Sequence, residues 1–177
     1  MELQELLNVF LNWAWERHHN PLSWLIRPLF LIPLCYFAYR RSWPGIGLTL
    51  VALATSMFWF PAPAEPPAWV TDFLAREQAF LLSPWTPGKL MLTALVPLSL
   101  GALIAAFWFR SIAWGVALFV AIGLAKSAWS VYEGGASGWS VAPFALFGIL
   151  VCSAVVLFTH RRWGRRAPAK ANVKPQA

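Results

Sequence analysis

Long apolar runs alternate with short polar breaks along this chain, on a length scale that matches a lipid bilayer. Five runs approach the roughly 17–25 residues that a helix needs to cross about 30 Å of hydrocarbon. They are Leu22 to Tyr39, Pro44 to Phe60, Leu90 to Phe109, Ile112 to Tyr132 and Val141 to Phe158. Peptide groups in lipid have no water to bond, so each run predicts a helix that satisfies its own backbone. Two boundaries carry start signals, Asn20 before Pro21 and Thr86 before Pro87. In each, a capping side chain precedes a proline whose missing N–H costs nothing in a first helical turn. Pro44 suits the same first-turn role in the second run.

Two further segments read as helices with one polar side. Within residues 1–20, Leu3, Leu6, Leu7, Phe10, Trp13 and Ala14 form a stripe at helical spacing, with Glu2, Glu5, Asn8, Asn12 and Glu16 largely off it. In the stretch 61–88, Pro61, Pro63, Pro66 and Pro67 make a stiff extended piece. Residues 68–82 then put Trp69, Val70, Phe73, Leu74 and Leu81 on one face, with an Asp72–Arg76 pair on the other. The predicted fold class is all-α, a five-transmembrane-helix bundle with two amphipathic interfacial helices on its outer side. Residues 1–20 hold the first of these helices, 21–160 the membrane domain, and 161–177 a basic cytoplasmic tail that reads as disordered after Arg166.

Composition narrows the class. Apolar residues make up 59% of the chain and charged ones 12%, which excludes a disordered polymer and an ordinary soluble domain of this size. The formal charge of +7 would suggest an anionic partner if it were spread over the surface. However, six of the 14 basic residues lie in 161–177, and up to Thr159 eight bases face seven acids. The breaks between runs one and two and between runs three and four, together with the tail, hold nine basic residues and no acidic one. All seven acids fall on the other side, with only Arg17, Arg76 and Lys89 as bases. This positive-inside asymmetry predicts a multi-pass protein of a bacterial-type inner membrane, with the N-terminus outside and the C-terminus cytoplasmic. It also removes the reason to expect nucleic acid. Tryptophans crowd the predicted membrane boundaries, among them Trp24, Trp43, Trp59, Trp85, Trp108 and Trp139. The N-terminus has Glu2 and Glu5 where a signal peptide would be basic.

The candidate chemistry is a pair of cations inside apolar runs. Arg27 lies six residues past Pro21, and Lys126 six before Tyr132 on a helix running the other way. Both are therefore about 9 Å below the same outer surface. A charge at such depth faces protein or water, or snorkels to the interface. Glu133, on the same helical face as Lys126, is the predicted counter-ion, with Glu65, Asp72 and Glu77 as others. The functional expectation is an outer-leaflet pocket made by Arg27, Lys126 and Glu133, with Trp59 and Trp129 as apolar walls. The plainer expectation is that both cations snorkel or close structural pairs.

Pro28 and Pro33 in the first run and Pro97 in the third predict kinks. Ala113, Ala117, Ala121 and Ala125 in the fourth run, and Gly101 with Ala105 in the third, predict close helix approach. Cys35 and Cys152 sit within apolar runs and read as small buried hydrophobes. His18 and His19 are adjacent on the outer side, a membrane thickness from His160, so no joint haem or metal site is expected. No zinc-protease or phosphate-loop motif occurs, and no run carries an aspartate or a histidine in its apolar core. No cofactor is expected. The leading functional expectation is a non-enzymatic accessory subunit or assembly factor of a membrane complex, with a protein partner or a second copy seated on the alanine seam. The alternative is a binder or transporter of a small amphipathic or anionic molecule or lipid at the Arg27–Lys126 pocket.

Overall fold

The computed structural model describes residues 3–164, leaving out the side chains of residues 133, 134, 136, 137, 163 and 164. The tail predicted to be disordered after Arg166 lies outside the described residues. Eight α-helices follow in order, α1 (Leu3–His18), α2 (Pro21–Leu29), α3 (Leu31–Tyr39), α4 (Trp43–Thr55), α5 (Ala68–Leu82), α6 (Pro87–Trp108), α7 (Ile112–Gly134) and α8 (Ala142–Gly164). Short 3-10 turns at Ser56–Phe58 and Gly135–Val141 complete the list, and there is no strand among the described residues.

Four stretches are long and apolar enough to cross a membrane: Pro21–Tyr39, Pro87–Trp108, Ile112–Tyr132 and Gly138–Arg162. The second run differs from expectation, because it forms a shorter apolar helix, Trp43–Phe58. Its α-helical part ends where side-chain hydroxyls bond back to the helix: Thr55 Oγ1 donates to Val51 O (2.9 Å) and Ser56 Oγ to Leu53 O (2.7 Å). Such back-bonding competes with regular helical hydrogen bonding, and the chain tightens into a 3-10 turn.

The expected caps form. Asn20 accepts from Leu22 N–H (3.0 Å) and Thr86 from Lys89 N–H (3.3 Å). The two prolines of the first run break it at Phe30 into α2 and α3, since neither Pro28 nor Pro33 has an N–H for the carbonyl four residues back. Pro97, by contrast, sits inside a continuous α6.

The α3–α4 and α6–α7 connections turn in the same way. Arg41 (φ 55°) and Arg110 (φ 60°) both adopt the left-handed conformation. The following serine N–H then reaches back five residues, Ser42 to Phe37 O (2.9 Å) and Ser111 to Ala106 O (2.8 Å). This is the closing bond of a Schellman turn, in which arginine stands where glycine is commoner. The two turns also exchange contacts. Arg41 Nε donates to Trp108 O (3.3 Å), while the Arg110 guanidinium lies 5.3 Å from the Tyr39 ring. Trp43 and Trp108 pack between them at 4.8 Å.

Two cores result. One joins Leu34, Cys35 and Ala38 of α3 to Ile46, Leu103, Phe107, Phe119 and Cys152. The other lies at the opposite end from the arginine turns, where Val70 and Leu74 of α5 are fully buried against Trp24 and Val141. Asp72 and Arg76 of α5 are exposed. Close helix approach comes from glycine rather than from the alanine row. A Cβ at Gly123 would meet Ile149 at 2.5 Å and one at Gly148 would meet Pro28 at 2.7 Å, whereas Gly101 has open space around it. Ala113, Ala117, Ala121 and Ala125 are all exposed.

Candidate functional site

The turn from α1 into α2 builds the first wall of a cavity. Asn20 caps α2, and its amide also donates to Pro61 O (3.0 Å), while Arg17 Nη1 donates to Phe60 O (3.2 Å). The end of α1 is thereby tied to the chain leaving α4. Trp24 Nε1 donates to His18 O (3.0 Å), which satisfies a carbonyl at the end of α1. The Trp24 ring in turn meets Trp69 (5.5 Å), Phe73 (5.0 Å) and Phe144 (6.0 Å). These rings hold α5 over the ends of α2 and α8.

Beneath α5 lies a cavity of about 240 Å³. Its apolar lining includes Phe73, Phe119, Ile122, Phe144 and Ile149, and its polar groups are His18, Arg27, Glu77 and Lys126. Gly123 and Gly148 are also in the lining, and their missing side chains keep α7, α8 and α2 close. At the floor, Cys152 Sγ donates to Pro28 O (3.2 Å), linking α8 to the break in the first run.

The structure thus places Arg27 and Lys126, from helices nearly a hundred residues apart, on one cavity. Arg27 is half-buried and Lys126 is exposed at the rim. Among the described residues, neither side chain has a hydrogen bond or an ion pair. The carboxylate whose field reaches Arg27 is Glu77 of α5. The side chain of Glu133, the predicted counter-ion, lies outside the described residues. Trp59 and Trp129 do not line the cavity. Trp59 packs on Phe30 at 5.3 Å and donates to Thr55 Oγ1 (3.1 Å), and Trp129 packs on Phe80 and Tyr132. Both are turned toward other neighbours than the cavity. The aromatic walls are Trp24, Phe73, Phe119 and Phe144 instead.

Sequence reasoning set His18 beside His19 at the interface and did not include it in the candidate pocket. It is 5% exposed, and its Nδ1 lies 3.3 Å from Ser23 Oγ. The Ser23 hydroxyl has one proton and reaches Asn20 O (2.8 Å) more closely than His18 O (3.5 Å) or Nδ1; donating it to Asn20 O leaves the hydroxyl to accept from Nδ1 in the tautomer protonated there. Burial, followed by the charges of Arg27, His19 and Lys126, lowers the His18 pKa from 6.5 to about 3. The ring is therefore neutral near pH 7. Ser23 is not part of the cavity lining, whereas His18 is. Among the described residues, Nε2 has no hydrogen-bond partner. The one sequence signal for this was Asn20–Pro21, which folds α1 back over α2 immediately after the histidine.

A second, wider cleft of about 640 Å³ lies near the arginine end, between α3 and α8, with Tyr36, Tyr39, Thr159 and His160 among its lining residues. It brings no pair of like charges together. Among the described residues, no three His, Cys, Asp or Glu side chains are grouped to hold a metal ion. Comparison with known family patterns, with curated proteins and with solved structures gave no match.

Proposed function

We propose that this chain is a five-pass inner-membrane protein that binds a small anionic amphiphile in the cavity under α5. The observation that carries the reading is the convergence of Arg27 and Lys126, both without a hydrogen bond or ion pair among the described residues, on a mainly apolar cavity whose one carboxylate is Glu77. Like charges repel, and burying them is costly. An arrangement that keeps two of them together gains most from an anion that enters with its own apolar surface. An apolar cavity of ~150 Å³ takes one benzene, so about 240 Å³ accepts a segment of roughly ten carbon atoms.

The passage count rests on α4 and its 3-10 turn. They begin beside the arginine turns and end where Phe60 and Pro61 meet Arg17 and Asn20. Their length is about 25 Å, and a local thinning of the bilayer accommodates such a short span at modest cost. With five passes, the nine-to-three distribution of basic residues puts the arginine turns and the C-terminus in the cytoplasm. The cavity then opens toward the outer leaflet, with α1 and α5 lying in that interface.

In a titration of the purified protein in uncharged detergent with an anionic lipid, followed by tryptophan fluorescence, Arg27→Gln and Lys126→Gln should each weaken binding about tenfold or more. That is the scale of one charge-assisted hydrogen bond. Binding unchanged in the double variant would overturn the reading.

A second reading, an accessory subunit, is favoured by the exposed row Ala113, Ala117, Ala121 and Ala125. Small residues let two helices approach closely in lipid, and here a neighbouring helix from another chain would fill the row. Ala117→Cys should then cross-link in native membranes. A strictly monomeric, uncross-linked protein would count against it.

A further inference from the structure

The cavity's polar groups specify more than charge. Arg27 and Lys126 contribute two positive charges, Glu77 one negative, and neutral His18 none, so the lining carries a net charge of about +1 at neutral pH. A single negative charge on the ligand balances it, whereas a dianion would leave an excess in a low-dielectric space. Arg27 and Lys126 have only donors to offer. His18 offers the opposite, an acceptor. Its Nδ1–H is committed to Ser23 Oγ at 3.3 Å, and Ser23 is committed in turn to Asn20 O at 2.8 Å. The ring itself is only 5% exposed and lines the cavity, and among the described residues Nε2 has no hydrogen-bond partner. With Nδ1 protonated, Nε2 is the acceptor that the ring has left for a ligand entering the cavity.

We propose that the ligand is a monoanionic amphiphile whose headgroup also carries a hydroxyl. The acid oxygens face Arg27 and Lys126, the hydroxyl donates to His18 Nε2, and the first part of the tail lies along Phe73, Phe119 and Phe144. A phosphodiester lipid with a polyol headgroup has this chemistry. A simple fatty acid, or a diester capped by an alkyl group, has the charge but no donor. This inference rests on the anionic-amphiphile reading of the same cavity and narrows it to one class.

The test compares two probes with identical acyl chains and one negative charge each. Phosphatidylglycerol carries headgroup hydroxyls and phosphatidylethanol carries none. The full-length protein in uncharged detergent is titrated with each, and binding is followed by tryptophan fluorescence. The wild-type protein should bind phosphatidylglycerol about three- to tenfold more tightly, the value of one neutral hydrogen bond. His18→Leu should lose that preference while still binding phosphatidylethanol. Equal wild-type affinities for the two lipids would overturn the role of His18 and leave the anion site standing, whereas binding of neither would overturn the amphiphile reading itself. The wild-type comparison decides the matter even if His18→Leu fails to fold. Deacylated glycerophosphoglycerol separates a lipid from a free headgroup. It should bind at least a hundredfold more weakly than the lipid, and binding as tight as the lipid's would overturn the amphiphile reading.

Discussion

Two buried polar residues show how single side chains set the end of the bundle that α5 covers. Lys89 is 5% exposed, yet its ammonium donates to Leu81 O (2.9 Å), Ser83 O (2.7 Å) and Ser83 Oγ (3.2 Å), with the Trp85 ring 4.3 Å away. All three protons are used, and the positive charge meets the negative end of α5. In Lys89→Met the carbonyls lose their donor while the volume is roughly kept. The expected cost is about 2–3 kcal/mol, read as a lower thermal midpoint and faster trypsin cleavage after Arg76. His18 behaves oppositely, because its burial favours the neutral ring. With a folded pKa of about 3 against 6.5 in an open state, the docked α1–α2 corner is fully stabilised above pH 6.5 and loses stability as pH falls toward 3. The slope is about 1.4 kcal/mol per unit, or about 2 kcal/mol lost by pH 5. Arg27 from α2, Lys126 from α7 and His19 from the turn after α1 all oppose protonation, and Glu77 of α5 shares the cavity. Thermal unfolding followed at pH 5 and pH 7 should show this loss in wild type and a much smaller one in His18→Phe. An equal loss in both would place the titration elsewhere.

Helix contacts depend on where a Cβ is missing, not on how many small residues a helix carries. Gly148 lets α8 meet Pro28 at the break between α2 and α3, and an added Cβ would stand 2.7 Å from the proline ring carbon. Gly148→Ala is expected to cost about 1–3 kcal/mol and to weaken anionic-lipid binding by shifting a cavity wall. Gly101 has nothing within 4 Å, so Gly101→Ala should be neutral or stabilising by up to about 1 kcal/mol through helix propensity. A thermal-midpoint comparison of the two variants checks both expectations. The one-dimensional pattern treats Gly101 and Gly148 alike, because spacing along a helix says which residues share a face but not which face meets a neighbour. The same limit explains Trp59 and Trp129, whose direction around the helix was not readable from spacing.

The molecule as a whole couples its two ends through α3 and α8. Arg41 and Arg110 clasp one end, and the Trp24 cluster closes the other. Orientation is testable at this scale with little background, because both native cysteines are buried. A Glu65→Cys variant in the exposed proline-rich stretch should react with an impermeant maleimide on intact cells. Labelling only after permeabilisation would reverse the orientation proposed here.

Residue order alone determined that the chain is all-helical and rich in helices able to cross a membrane. Bilayer thickness and unsatisfied peptide groups impose those properties on any run of such composition. It also determined the caps at Asn20 and Thr86 and the positions of Arg27 and Lys126 along their helices, since both follow from counting residues along one helix. Only tertiary structure decided that the two cations share a cavity, that Glu77 stands beside them, that Trp24, Phe73, Phe119 and Phe144 are its walls, and that His18 joins its lining. Those outcomes depend on rotation about helix axes and on the folding of α1 and α5 over the bundle. Both are set by packing between residues distant in sequence, which a linear pattern does not encode.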